Sequence, residues 1–511
     1  MTQLSLLILP KLNKNRAVHL PPVNISALPE KVLQFGTGVL LRGLPDYMID
    51  QANQQGLFNG RIIVVKSTDG GDLDAFTQQD NLYTICVRGV VKGEIVEENV
   101  ICSAISRVLS AKSQWQDILA RAQNPDLQIV ISNTTEVGIE FVEESIHQEP
   151  PVSFPAKLLA FLYARYQAFN GDASKGMVIV PTELIPNNGD QLKAILLQLA
   201  YHNQLTPDFI YWLEHSNHLC NSLVDRIVPG KPTAEMQEIL QQKLGYDDAL
   251  LTICEPYNLW AIQGDERIKS ILCFHQVNPG IYIEPDIERF RELKLRMLNG
   301  THTLSCGLAF LAGFNTVKEA MQDDVMSNFI QHIMLAEIAR GIPYPMPMED
   351  IQHFGNQVLD RFRNPFLEHK WLSITLQYTS KMKMRNVPTL VHFIQNQGTV
   401  PPYMALGFAA YLLFMKAVKI EDKVYHGLVN GNFYPIQDPQ AAFFYNLWQE
   451  CTPTQLVKQV LENQALWETD LTILPGFAEQ VTDYLVQMLK TSARVVLQEH
   501  LNTKTPEYKN T

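Results

Sequence analysis

"KVLQFGTGVLLRG", residues 31–43, is a short apolar run that enters a Gly-x-Gly turn and leaves it as an apolar stretch of helical spacing. Glycines between a strand and a helix let the backbone turn tightly and approach a ligand, so that a pyrophosphate rests on the helix N-terminus. The stretch therefore reads as a strand ending at Gly36, a turn through Thr37 and Gly38, and the start of a helix. The fingerprint is incomplete, because the third glycine of Gly-x-Gly-x-x-Gly falls on Leu41. Alone, the pattern fits a plain turn as well as a cofactor loop.

Working outward, "RIIVVKS" (61–67), "LQIVISNTTE" (127–136) and "GMVIVPTE" (176–183) are also continuous apolar, β-branched runs with helical stretches between them. That alternation predicts a mostly parallel sheet covered on both faces. "YTICVRGVVKGEIVEE" (83–98) reads as an inserted antiparallel hairpin, and residues 1–30 as an arm laid over the surface. After "NPGIYIEPD" (278–286) strand signals nearly vanish, and amphipathic helices run to the end, broken at "GIPYPMPMED" (341–350) and "GNFYPIQDP" (431–439). The expected fold class is α/β plus all-α: a Rossmann-like, mostly parallel sheet domain over 1–285 and a mainly helical domain over 286–511.

Composition narrows the function. The 511 residues suffice for two or three domains with substantial cores. A formal charge of -12 argues against a nucleic-acid surface but leaves room for a small anion held by a local cluster of Lys and Arg. Seven scattered cysteines without a Cys-x-x-Cys pair argue against a disulfide framework and a thiolate zinc site, so no metal is expected and a reducing cytoplasm is. "MTQLSLLILPKLNKNR" lacks the basic region of a signal peptide, and "MALGFAAYLLFM" (404–415) is too short to cross a bilayer. No membrane partner is expected; monomer and weak dimer both remain open.

The second strand of a dinucleotide fold normally ends in an acid that binds the ribose. Here it ends "VVKSTDGG", with Lys66 in that place and Asp69 three residues on. Lys66 would favour a 2′-phosphate, or is simply a solvated strand end. NAD is the expected cofactor, with NADP not excluded.

"ERFRELKLRMLNGTHTLSCGLAFLAG" (288–313) sets Lys294, Asn299 and His302 where apolar surface begins to dominate. At about 100° per residue they fall at roughly 0°, 140° and 80°, one side of the helix. They form a polar rim beside an apolar stripe, or a reactive face. Leu295, Leu298 and "LSCGLAFLAG" imply burial, and a desolvated lysine can act as a general base while an asparagine amide donates to a developing alkoxide.

The spacing Lys-x4-Asn-x2-His resembles the signature of the long-chain polyol-specific dehydrogenases, the mannitol dehydrogenase family. "NSLVDRIVP" (221–229) and "SNTTEVG" (132–138) are similar to two further segments of that family. The resemblance implies that Lys294 is the general acid/base, that Asn299 donates to the reacting oxygen and that His302 orients lysine or substrate. It places Gly36, Thr37, Gly38, Thr135 and Glu136 at the cofactor. It also has Asp225 bind a substrate hydroxyl, unless Asp225 only pairs with Arg226. "PTELIPNNG", "EPYNLWAIQGDERI", "LKLRMLNGTHT" and "SKMKMRNVPTL" resemble the tagaturonate-reducing branch of the family. That branch implies metal-independent, NADH-dependent reduction of tagaturonate to altronate in hexuronate catabolism. Two positions depart from the family pattern. Glu183-Leu184 replaces Asp-Asn, leaving Asn188 as a second oxyanion donor or as ordinary turn chemistry. Arg291 replaces a glutamate, leaving Glu288 and Glu292 as helix surface or a proton path.

A sugar acid needs a cationic partner. "TSKMKMR" (379–385) offers Lys381, Lys383 and Arg385, a solvated face or a carboxylate clamp whose alternate residues would point one way if extended. Arg361 and His369 in "RFRNPFLEHK" are further candidates. A fructuronate reductase or polyol 2-dehydrogenase would share the lysine motif, and an idle nucleotide-binding sensor would tolerate its loss.

Overall fold

Alternate residues of the first strand are buried in different cores: Val32 in one cluster, Leu33 and Phe35 in another. Its neighbours divide the same way, with Ile62 and Val64 against Ile63 and Val65, and Ile129 and Ile131 against Val130. Both faces are covered, which is why these runs are continuously apolar. The computed structural model describes residues 1–511 except 13–16, 23, 68–72, 135–137, 502–507 and 509–511. It divides into one unit of Met1–Arg88 with Ile95–Ile287, and a second of Gly89–Glu94 with Glu288–Thr511.

The first unit is built on a sheet of six strands: β1 (Glu30–Phe35), β2 (Arg61–Lys66), β3 (Ile105–Ser110), β4 (Ile129–Ser132), β5 (Val178–Pro181) and β6 (His218–Leu219). All pairings are parallel and the spatial order is β3-β2-β1-β4-β5-β6. This is the doubly wound dinucleotide-binding order, whose direction reverses between β1 and β4; ligands bind outside the carboxyl ends of strands at such a point. The strands Tyr83–Val91 and Glu94–Cys102 form the expected hairpin, closed by Lys92 and Gly93 with φ of 52° and 81°. The N-terminal arm is anchored as well as draped: Leu4, Ile8 and Val18 share a core with Leu82, Ile101 and Tyr246.

In the second unit the apolar stretch becomes the buried helix Pro402–Phe414. It crosses the helix Thr301–Leu311 closely at Gly407, where a Cβ would stand 2.6 Å from the Leu304 carbonyl oxygen. The unit is not all-α. Lys419–Glu421, Val424–Val429 and Asn432–Ile436 form a three-stranded antiparallel sheet, turned at Asp422-Lys423 and Asn430-Gly431, all with positive φ. Among the described residues no helix is long and apolar enough to cross a membrane.

Candidate functional site

At the switch point, Gly36 has φ +122°, and a Cβ there would lie 2.9 Å from both the Asn133 carbonyl oxygen and Leu41 Cδ1. Only glycine fits such a turn. Gly38, two residues on, caps the helix and faces open space, with no atom within 4 Å of its Cβ position. The helix runs Val39–Leu41, widens into a π turn over Arg42–Asp46 that contains Pro45, and continues through Tyr47–Gln54. Proline supplies no backbone donor, which suits a widened turn. The first-turn amides have no intrahelical acceptor and point outward beside Gly38, so the loop fits a pyrophosphate.

The "VDRIVP" segment supports this helix from behind. Arg226 donates from Nε to the Glu255 carbonyl (2.9 Å) and from Nη1 to that of Gly43, and lies over the Tyr47 ring at 4.9 Å. Gly43 allows close approach, since a Cβ would meet Val228 Cγ1 at 2.9 Å. Asp225, for which Arg226 was a prospective partner, ends the strand Ser222–Asp225 half-buried.

Lys66 is only 8% exposed, so it is not a solvated strand end. Thr135 and Glu136, like Asp69, lie outside the described residues. Just before them, Thr134 donates from its amide and hydroxyl to Glu183 Oε1 at 2.9 and 3.0 Å, and Ser132 Oγ donates to Oε2 at 3.1 Å. Burial pushes the Glu183 carboxyl up, and these donors oppose it. Asn188 does not fit the expected oxyanion donor. It is fully buried, and its Nδ2 donates to the carbonyls of Pro181, Glu183 and Ser222 at 3.0, 3.0 and 3.1 Å. Its Oδ1 accepts from the Gly189 and Ser222 amides. Both amide hydrogens are consumed in holding strand ends together.

In the second unit, the helix Glu288–Leu293 passes through a π turn, Lys294–Gly300, into Thr301–Leu311. A π turn closes i to i+5, so Lys294 and Asn299 stand about one turn apart rather than on the oblique faces expected of a regular α-helix. Both are half-buried. His302 is buried: its ring stacks on Phe362 at 4.2 Å and meets the edges of His369 at 5.0 Å and Trp371 at 6.1 Å. Its Nε2 has no hydrogen-bond partner. Burial, then the charges of His369, Arg361, Arg385 and Lys381, hold the imidazole well below its usual range.

The "TSKMKMR" segment is helical, not extended: Tyr378–Lys381 is α and Met382–Asn386 is a further π turn. The alternate-residue argument therefore fails. Arg385 donates from Nη1 to Thr303 Oγ1 (3.1 Å), and its buried Nε has no partner. Lys381 Nζ donates to the Ile374 carbonyl at 2.9 Å. Burial lowers the pKa of both groups, with the Arg385 charge adding to the effect on Lys381. Lys383 lies elsewhere, ion-paired to Glu468 at 2.8 Å. The structure thus gathers Arg361, His369, Lys381 and Arg385 around His302 and leaves Lys383 aside.

Glu288 and Glu292 are ion-paired along the helix with Arg291 and Arg296. Sequence reasoning missed Arg296, Asn386, Phe362 and Trp371; the signal for Asn386 was its place directly after the basic run. Among the described residues no group of three His, Cys, Asp or Glu side chains is arranged to hold a metal ion.

Two family models match the chain: the mannitol dehydrogenase Rossmann domain over residues 30–272 and the mannitol dehydrogenase C-terminal domain over 286–489. The altronate oxidoreductase of Halalkalibacterium halodurans is 36% identical over 487 residues, covering 93% of this chain and 94% of that protein. That of Bacillus subtilis is 37% identical over 495 residues, covering 96% and 98%. Among solved structures, a D-sorbitol dehydrogenase in substrate-free form superposes with a TM-score of 0.78 at 20% identity, over 97% of this chain and all (100%) of that one. Pseudomonas fluorescens mannitol 2-dehydrogenase, in ternary complex with NAD and D-mannitol, gives 0.67 at 22% identity, over 98% and 100%. These two likenesses concern the fold.

Proposed function

Because the chain belongs to the mannitol dehydrogenase family, we propose that it reduces D-tagaturonate to D-altronate with NADH, reversibly, with Lys294 as general acid/base. It is an oxidoreductase acting on CH–OH groups. The turn Gly36-Thr37-Gly38 and the amides after it would hold the pyrophosphate of NAD, with Lys66, Thr135 and Glu136 along the rest of the cofactor. Bound there, the nicotinamide supplies or accepts hydride.

The remaining chemistry belongs to side chains. The Lys294 ammonium gives its proton to the carbonyl oxygen as the carbonyl carbon takes hydride; in oxidation the neutral amine takes that proton back. Such a positioned acid contributes about 10²–10⁴-fold. Asn299 donates to the oxygen while negative charge grows on it. His302 stays neutral in its buried setting and orients substrate through Nε2, and Asp225 accepts from a sugar hydroxyl. Arg361, Lys381 and Arg385 hold the carboxylate. Lys383 and Asn188 are left out, the first paired with Glu468 and the second spent on carbonyls.

One observation carries the choice of a sugar acid over a neutral polyol. Three cations, Arg361, Lys381 and Arg385, lie close enough to His302 for their charges to lower the pKa of its imidazole, after burial and His369. A neutral polyol has no use for such a field, whereas a carboxylate neutralises it. The names of the relatives support the same substrate. Loss of reduced-nicotinamide absorbance with tagaturonate, fructuronate and fructose, each with NADH and NADPH, tests the reading. Tagaturonate with NADH is expected to be fastest. Turnover of fructose alone would overturn the clamp, and faster fructuronate would move the assignment to fructuronate reduction. The NADPH arm reads the influence of Lys66.

A further inference from the structure

We propose that Arg296 and Asn386 are positioning residues that hold the acid/base segment and the carboxylate-binding segment in one register; this rests on the roles given above to Lys294 and Arg385. Both segments are π turns, Lys294–Gly300 and Met382–Asn386. A widened turn disturbs the regular α ladder and lets side chains reach carbonyls within it. Here each turn serves the other. Arg296 of the first donates from Nη1 to the carbonyls of Met384 and Arg385 in the second, at 2.6 and 3.0 Å. Asn386 of the second donates from Nδ2 to the Gly300 carbonyl of the first, at 3.0 Å. Both side chains are buried, at 6% and 2% exposure. Glu292 fixes the rest of the Arg296 guanidinium, accepting from Nε at 3.0 Å and from Nη2 at 3.4 Å.

A third link runs through the site itself. Arg385 donates to Thr303 Oγ1, and that hydroxyl donates to the Asn299 carbonyl at 2.8 Å. The cation that would hold the carboxylate is thereby tied to the backbone of the residue that would meet the reacting oxygen. In a ketouronate, carboxylate and carbonyl are separated by a fixed length of carbon chain. Holding one end sets the other correctly only if the two protein segments keep their spacing, and a misplacement of about 1 Å costs on the order of 10²-fold in rate. The links from Arg296 and Asn386 end on backbone oxygens, so they fix the position of the turns whatever side chains the turns display.

The test is a double-mutant cycle on kcat/KM for tagaturonate, pairing Arg296→Lys with Arg385→Leu and recording Tm and NADH affinity throughout. Arg296→Lys alone is expected to lower kcat by about 10–100-fold with NADH affinity unchanged. In the Arg385→Leu background the same change is expected to cost less than about 3-fold, because there is no clamp left to register. Should Arg296→Lys fail to fold, Asn386→Ser replaces it in the same cycle. Multiplicative losses, or a fall in kcat that tracks Tm, would overturn the proposal and leave the clamp intact. An unchanged KM in Arg385→Leu would instead remove the clamp, and the proposal with it.

Discussion

At the carboxyl end of β5, Asn188 spends its whole side chain on five backbone partners, and Glu183 beside it accepts from Thr134 and Ser132. In the helical unit His302 Nε2 and Arg385 Nε are buried without a hydrogen bond. An unsatisfied buried polar atom costs about 1–3 kcal/mol, so Asn188 serves as scaffold, whereas His302 Nε2 and Arg385 Nε keep hydrogen-bonding capacity that a ligand can use. The α/β unit offers backbone to a pyrophosphate: a glycine turn and the amides after it. The helical unit offers side chains, carried on the widened turns Lys294–Gly300 and Met382–Asn386.

The sharpest way to break that contrast is Lys294→Ala, expected to lower kcat by about 10²–10⁴-fold while NADH affinity, read by fluorescence titration, stays within about 3-fold. Normal turnover by this variant would end the acid/base assignment, whereas NADH binding without turnover in the parent protein would favour an idle nucleotide-binding protein. Next comes the clamp. Arg385→Leu is expected to raise KM for tagaturonate by about 10–100-fold, the size of a hydrogen bond to a charged group. Lys383→Leu is expected to change it less than about 2-fold, since the Glu468 pair is a surface one. Equal effects from the two would restore an undivided run of three cations.

Asn188→Ala separates scaffold from site. The expected outcome is a loss of about 1–3 kcal/mol in denaturant unfolding with kcat within about 3-fold of normal. A hundredfold fall in kcat at unchanged stability would make Asn188 the oxyanion donor after all. The smallest expected effect is a pH dependence from His302. Its native pKa lies below the ordinary 6.5, so as pH falls below that value the unfolded chain takes up a proton that the native one refuses. Stability contributed by the neutral ring is complete above about pH 6.5 and is lost towards the lower native pKa. His302→Gln should flatten the acid side of a plot of unfolding midpoint against pH, and an unaltered slope would mean that another group governs it.

Much of the fold was legible because burial on two faces leaves a run of apolar residues, as in 62–65 (Ile-Ile-Val-Val) and 129–131 (Ile-Val-Ile). Lys294, Asn299 and His302 were singled out by spacing and family resemblance together, and the helix expected to carry them is present, with a π turn over Lys294–Gly300. The sheet at 419–436 was missed although Asn430-Gly431 is a strong hairpin signal, because the surrounding helices set the expectation. "TSKMKMR" was misread because three cations at alternate positions fit a strand as readily as a helix seen from two sides. The π turns could not be read, since their accompanying donors, Arg296 and Asn386, come from chain about 90 residues apart. For the same reason Asn188 looked available: its acceptors at Pro181 and Ser222 are neighbours only after the sheet has formed.

Leu41, in the place of the third fingerprint glycine, has engineering consequences. Its methyl lies where a Gly36 side chain would be, beneath the turn. Grafting a standard three-glycine loop onto this scaffold would hollow out the floor of the new loop. A redesign would have to carry a bulky aliphatic residue at that position, or borrow the adjoining helix along with the loop.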